Sequence, residues 1–196
     1  MKKSHPSFDA RGRSRDWRRV VLLGFMASGK TEVARALAQR LGWKHVDLDL
    51  EIERATGATV AEIFDRDGES AFRSLEAEHT PRALAAERTV LSPGGGWITN
   101  PGLFDALPPD TLTVWLKVSP AVVLNRLDRS EGGSVRPLLT EGDPESRVTE
   151  LLASREALYA RATVCIDTDH RSVAEIVTEV EEIIRAGRPA PLENET

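Results

Sequence analysis

Apolar residues along this chain alternate between two rhythms. Short runs with β-branched residues predict strands at about 19–23, 45–48, 89–92, 111–116 and 163–166. Between them the apolar positions recur every three or four residues. Val33, Ala34, Leu37, Ala38 and Leu41 predict a helix over 29–41, and Val173, Ile176, Val177, Val180, Ile183 and Ile184 form the stripe of a last helix. Punctuation supports this division. Gly42 and Gly57 stand as helix stops, the second closing a helix from Asp49 to Thr56. Thr59-x-x-Glu62 is a capping box opening a short helix through Phe64. Asp67-Gly68 reads as a turn before a longer helix to about Ala86, with Phe72, Leu75 and His79 on one face. Ser119-Pro120 and Asp143-Pro144 supply a cap and a first-turn proline for helices ending near Leu127 and Tyr159.

Strands alternating with helices imply an α/β fold: a five-stranded parallel sheet between two layers of helices. Ligands in such sheets bind beyond the carboxyl ends of the strands. Those ends carry Gly24–Thr31, Asp47 with Asp49, Gly94-Gly95-Gly96 and the Lys117–Ser119 turn. The stretch 129–142 is rich in charge and glycine and reads as a mobile lid. Residues 1–18 lack apolar periodicity and read as a disordered arm, and the tail from Gly187 reads as frayed. A single domain over 19–186 remains.

The first strand runs into Gly24-Phe25-Met26-Ala27-Ser28-Gly29-Lys30-Thr31, which satisfies G-x-x-x-x-G-K-[ST] with a strand before it and a helix after it. In that context loop N–H groups and the positive end of the helix cradle a phosphate. Lys30 is suited to bridge the β- and γ-phosphates, and the Thr31 hydroxyl to hold Mg²⁺. Ala27 stands where many such loops carry another glycine; a small effect is expected, provided the position does not require positive φ.

Composition narrows the function. The chain has 196 residues, 40% hydrophobic and 29% charged, with a net charge of −5, as expected of one globular domain. No apolar run reaches the length of a membrane span and no secretory leader is visible. Residues 1–19 carry +5, leaving an acidic body, which argues against nucleic acid as the main partner. Cys165 is the one cysteine, so no internal disulfide forms, and a cytoplasmic location fits. Its apolar surroundings predict a small buried side chain rather than a nucleophile.

An ordered set of motifs resembles the shikimate kinase family, of the nucleoside-monophosphate-kinase-like P-loop group. The set is Gly24–Thr31, Asp47-Leu48-Asp49, Phe72-Arg73-x-x-Glu76, Gly94-Gly95-Gly96, Arg136-Pro137-Leu138-Leu139 and Arg155-x-x-x-Tyr159, and the resemblance spans roughly residues 19–185. It implies MgATP-dependent phosphorylation of the 3-hydroxyl of shikimate, on the route to chorismate and the aromatic amino acids. By the same resemblance ATP lies on Ala27, Ser28, Gly29, Lys30, Thr31, Glu32 and Arg136. Lys30, Asp49 and Arg136 are the expected catalytic residues. Asp49, Arg73, Gly95 and Arg155 are the expected shikimate contacts, the two arginines on its carboxylate, with Glu76 orienting Arg73 and the acceptor-binding part of the domain at about 49–80. Thr31 and, through water, Asp47 are expected to hold Mg²⁺. Arg129, Arg171 and Val173 fall on the adenine side, and Trp97 beside the glycine turn flanks the site or joins the core. A monomer is expected. Two rival readings stay open: another small-molecule kinase on this fold, such as a gluconate kinase, and a non-catalytic nucleotide switch whose basic arm docks a partner.

Overall fold

The computed structural model describes residues 16–129 and 143–187. Five strands, β1 (Arg19–Leu23), β2 (Lys44–Asp47), β3 (Thr89–Ser92), β4 (Thr111–Lys117) and β5 (Val164–Asp167), form one parallel sheet in the order β2-β3-β1-β4-β5. The helices are α1 (Lys30–Leu41), α2 (Leu48–Thr56), α3 (Val60–Ala83), α4 (Pro120–Asp128), α5 (Pro144–Tyr159) and α6 (Val173–Ala186), with one 3₁₀ turn at Trp97–Thr99. The three-layer α/β/α architecture is the expected one. Among the described residues no helix is long and apolar enough to cross a membrane.

The central strand shows why the layers hold. In β1 Val20 and Leu22 pack on one face, against α1 and α6, while Val21 and Leu23 pack on the other, against α2, α3 and the Trp97 turn. A strand covered on both faces needs apolar side chains at every position, and Val20–Leu23 are all buried. The helix ends obey the caps read from sequence. Gly42 and Gly57 take left-handed φ of 66° and 71°, and the Thr59–Glu62 box is closed from both sides.

Four details differ from expectation. The helical run from Val60 is interrupted only at Gly68 (φ 81°, ψ 170°) and stops at Ala83, not Ala86. Beyond Gly68 its buried face is Phe72, Glu76 and Thr80, with Leu75 and His79 half-buried beside it; a carboxylate occupies a position the apolar pattern alone would skip. Trp17, assigned to the arm, packs in the core below β1, and Arg18 pairs with Glu87 at 2.6 Å. Residues 1–15 of that arm, the 130–142 part of the lid and the tail from 188 lie outside the described residues. Cys165 is exposed rather than buried, because β5 is an edge strand whose inward alternation falls on Ile166.

Candidate active site

The phosphate loop closes β1 through Gly24, whose φ of 149° and tight surroundings exclude a side chain. A Cβ there would sit 2.7 Å from the Leu116 carbonyl and from Ser28 Oγ. Ser28 is buried under this turn, its Oγ beside Gly24. Gly29 (φ 88°) caps α1, and Lys30 Nζ curls back to donate to the Phe25 carbonyl at 2.8 Å. Ala27 has φ 58°, so the proviso attached to it fails: the position is left-handed, where a residue with Cβ is disfavoured.

The neighbouring strand ends complete the crevice. Asp47 closes β2 and caps α2, its Oδ1 accepting from Leu50 N at 3.3 Å. Its Oδ2 faces the loop, accepting from Thr31 Oγ1 at 3.0 Å and from Ser92 Oγ at 3.4 Å. The cap is therefore Asp47, and Asp49 sits in the first turn of α2 with its carboxylate against Gly94. A Cβ on Gly94 would meet Asp49 Oδ1 at 3.0 Å. Asp49 Oδ1 is buried without a hydrogen-bond partner. Burial, and then the charge of Asp47, push the Asp49 pKa up to about 6, against the opposing pull of Lys30. A cavity of about 270 Å³ lies between these groups, walled by Lys30, Thr31, Asp47, Asp49, Ser92 and Gly95 among others.

Each residue of the triple glycine faces a different neighbour. Gly94 meets Asp49, Gly95 lies on the loop backbone with a built Cβ 3.1 Å from Met26 N, and Gly96 meets the Arg73 guanidinium, 2.0 Å from a built Cβ. Close approach, not an unusual φ, is what excludes side chains here. Arg73 bridges Glu76 and Glu69, both at 2.7 Å, and lies against Gly96. Burial raises the Glu76 carboxyl against the opposing influence of Arg73. Arg155 is 6% exposed, which rules out a solvated partner of Glu150 or Glu156. Its Nη1 donates to the Gly95 carbonyl at 3.4 Å and its guanidinium lies 5.8 Å over the Phe25 ring. Tyr159, one turn on, donates its hydroxyl to the same carbonyl at 2.5 Å. Burial pushes that hydroxyl's pKa up to about 12. Trp97 belongs to the core, its Nε1 donating to Thr80 Oγ1 at 2.9 Å beneath the turn.

Lys30, Thr31, Asp47, Asp49 and Gly95 thus share one cavity, and Arg73 and Arg155 reach its glycine edge from α3 and α5. Arg136 lies outside the described residues. A second cavity of about 370 Å³ adjoins the first across Ala27, Gly29 and Glu32 and is walled further by Arg126, Thr168, Arg171 and Val173. Ser28 lines this second one. Arg126 rather than Arg129 is the α4 arginine in that wall. Arg129 is exposed at the end of the helix. Arg126 and the Tyr159 hydroxyl are the functional groups that sequence reading missed. Tyr159 stood in a quoted motif without a role, and nothing in the charge pattern of α4 separates Arg126 from Arg129.

A phosphate loop on a 2-3-1-4-5 parallel sheet, with a desolvated carboxyl opposite the loop lysine, defines a P-loop kinase acting on small molecules. Comparison with known proteins narrows this. The family model described as shikimate kinase matches residues 26–185. A shikimate kinase of Symbiobacterium thermophilum is 42% identical over 164 residues, 83% of this chain and 94% of that enzyme. One of Moorella thermoacetica is 39% identical over 85% of this chain and 94% of its own length. Among solved structures, shikimate kinase from Acinetobacter baumannii in complex with shikimate superposes with a TM-score of 0.80 at 34% identity, covering 86% of this chain and 93% of that one. The chain belongs to the shikimate kinase family, and it is an ATP-dependent kinase.

Proposed function

We propose that the crevice transfers the γ-phosphoryl group of ATP to the 3-hydroxyl of shikimate, giving ADP and shikimate 3-phosphate. The single observation that carries the site assignment is Asp49: a carboxyl with a buried, unpartnered oxygen and a pKa near 6, in the same cavity as Lys30. Such a group is poised to accept a proton near neutral pH. The acceptor hydroxyl gives its proton to Asp49 as its oxygen bonds to the γ-phosphorus, and the bond from that phosphorus to the β-bridging oxygen breaks to release ADP. Lys30, the amides of Gly29–Glu32 and the start of α1 hold the phosphates. Arg136, outside the described residues, is the further cation on the transferring group. The second cavity receives the base, with Ala27 at the passage and Ser28 in the wall of that cavity. Arg73 and Arg155 hold the shikimate carboxylate over Gly95, where each guanidinium offers a planar fork of donors.

The donor set suits Mg²⁺. Thr31 Oγ1 and Asp47 Oδ2 are hard oxygens in contact, while the other Asp47 oxygen is engaged as a helix cap, which favours a hold through water. Bound there with the nucleotide, the ion supplies charge neutralisation at the phosphates. The single cysteine fits a cytoplasmic enzyme, and the acidic body fits one without a nucleic-acid partner; its partners in this reading are ATP and shikimate, and it acts as a monomer.

ADP release measured with shikimate, gluconate and nucleoside monophosphates in parallel tests this. Turnover is expected with shikimate alone. Turnover with gluconate alone, or nucleotide binding with no transfer to any acceptor, would overturn it.

A further inference from the structure

Gly96 lies so close to Arg73 that a Cβ there would stand 2.0 Å from Nη2. Packing that tight needs a fixed distance between the glycine turn and α3. Two side chains that follow the turn bridge this distance. Trp97 Nε1 donates to Thr80 Oγ1 at 2.9 Å, and Asn100 Nδ2 donates to the Arg73 carbonyl at 2.6 Å. Arg73 and Thr80 are about two helical turns apart, so the ties grip α3 on either side of the turn that carries Glu76. The backbone at Asn100 suits its task. It ends the 3₁₀ turn at φ −75° and ψ 117°, in the extended region to which a following proline, here Pro101, confines a residue. Asn100 also reaches the partner of Arg73. Burial pushes the Glu76 carboxyl up, and Arg73 and then the Asn100 amide oppose it.

We propose that Asn100 is a positioning residue for the acceptor: by tying the Arg73 backbone to the glycine turn, it sets where the guanidinium stands against Gly96. Asn100 does not wall the cavity at Lys30, so it acts through Arg73 and not on the reacting groups. With the tie cut, α3 is held to the turn at Thr80 alone, and its Arg73 end draws back from Gly96. The guanidinium moves with the helix, still paired to Glu69 and Glu76. It then meets poorly the carboxylate that Arg155 holds from α5. Charge-assisted bonds between a guanidinium and a carboxylate are short and directional, so a small displacement weakens them. The phosphate loop, which Asn100 does not touch, keeps its shape. The inference rests on the reading that Arg73 binds the carboxylate of shikimate.

A double-mutant cycle tests it, with KM for shikimate, KM for ATP and kcat measured on unmodified enzyme, N100A, R73A and N100A/R73A. N100A is expected to raise KM for shikimate about three- to tenfold, the scale of one lost hydrogen bond. KM for ATP and kcat stay within about twofold, as expected when only acceptor binding is weakened. In the R73A background the same replacement raises KM for shikimate by less than about twofold, the non-additivity expected when the group it positions is gone. An equal rise in both backgrounds overturns the proposal, since it means that Asn100 acts on shikimate by a route other than Arg73. No rise in either background overturns it, as does a KM for ATP that rises in step with that for shikimate. Should a single variant be recovered unfolded, N100L or R73M takes its place. Leucine keeps the branched shape without a donor, and methionine keeps most of the aliphatic stem without the charge. The same rise is expected for N100L, and its equality in the R73M background again overturns the proposal. An unmodified enzyme with no shikimate-dependent turnover, or an R73A variant with unchanged KM for shikimate, overturns the acceptor reading itself. Full turnover, a raised KM in R73A and additive effects remove only the role of Asn100.

Discussion

The two sides of the crevice are built from different materials. The phosphate side is mostly backbone: Gly24, Gly29 and the first turn of α1 offer N–H groups that the fold leaves unpaired anyway. The acceptor side is mostly buried charge: Asp49, Arg73, Glu76 and Arg155 come from three helices and are packed against a turn with no side chains. Backbone amides need little desolvation to do their work, whereas each buried ionisable group is a standing cost to the fold. Substitutions on the first side should therefore show in catalysis alone. Substitutions on the second should show in catalysis, in stability and in pH dependence together.

The largest effects break that comparison by kinetics. Lys30→Ala is expected to lower kcat by about 10²–10³, the scale of losing one donor that meets developing charge. Its KM for shikimate should stay within about twofold. Arg73→Ala should do the reverse, raising KM for shikimate by about 10- to 100-fold through loss of charge-assisted bonds to a carboxylate. Steady-state kinetics on the two variants decides it. Equal losses of shikimate affinity would mean that the sides are not separable.

Asp49→Asn sharpens the contrast. It should reduce kcat by about 10²–10⁴ as the proton acceptor disappears. It should also stabilise the fold. The Asp49 pKa is raised from 3.8 to about 6, so folding disfavours its charged form. Its contribution is most favourable below about pH 4 and is lost as pH rises through about 6. The loss is on the order of 2–3 kcal/mol by linkage, so D49N should melt several degrees higher at pH 8 but no higher at pH 4. A lower Tm for D49N at pH 8 would contradict this account. No such trade is expected at Lys30.

Activity and stability should consequently run in opposite directions with pH. For the unmodified enzyme kcat/KM should rise about tenfold per unit below pH 6 and level off above it, the limb of an essential ionised carboxylate. Glu76, whose carboxyl burial raises to about 7, adds a weaker second step nearer pH 7 by loosening its hold on Arg73 when protonated, so the levelling is complete only above it. A flat profile of kcat/KM between pH 5 and 7 would remove Asp49 as the proton acceptor.

The same division explains what could be read before the fold was seen. The backbone side is written locally: Gly24, Gly29-Lys30-Thr31 and the helical period of Val33–Leu41 are contiguous and carry their own geometric meaning. Asp47 and Asp49 lie two apart, and which of them caps α2 depends on where the helix begins, so their roles separate only in three dimensions. The buried face of α3 was misread because Glu76 and Thr80 complete it, and polar residues at buried positions follow from partners such as Arg73 and Trp97 that the apolar pattern does not register. Ala27 was recognised as irregular, but its φ depends on a turn whose strain no composition reveals. Arg126 joins α4 to the Ala27 and Thr168 carbonyls, which only the folded sheet brings within reach.

The smallest expected effect falls where the two sides touch. The Gly95 carbonyl receives both the Tyr159 hydroxyl and Arg155, while the Gly95 Cα rests on the loop backbone. Tyr159→Phe removes one hydrogen bond and little volume, and the ring keeps its stack with Trp115, centroids 5.8 Å apart. A lost neutral hydrogen bond corresponds to about 0.5–1.5 kcal/mol, hence a rise of about two- to tenfold in KM for shikimate. Because the hydroxyl orients a carbonyl on the acceptor side of Gly95, KM for ATP should not move. Were both constants to rise together, Gly95 would be transmitting its position to the phosphate loop through the contact with Met26, and the two sides would be one mechanical unit.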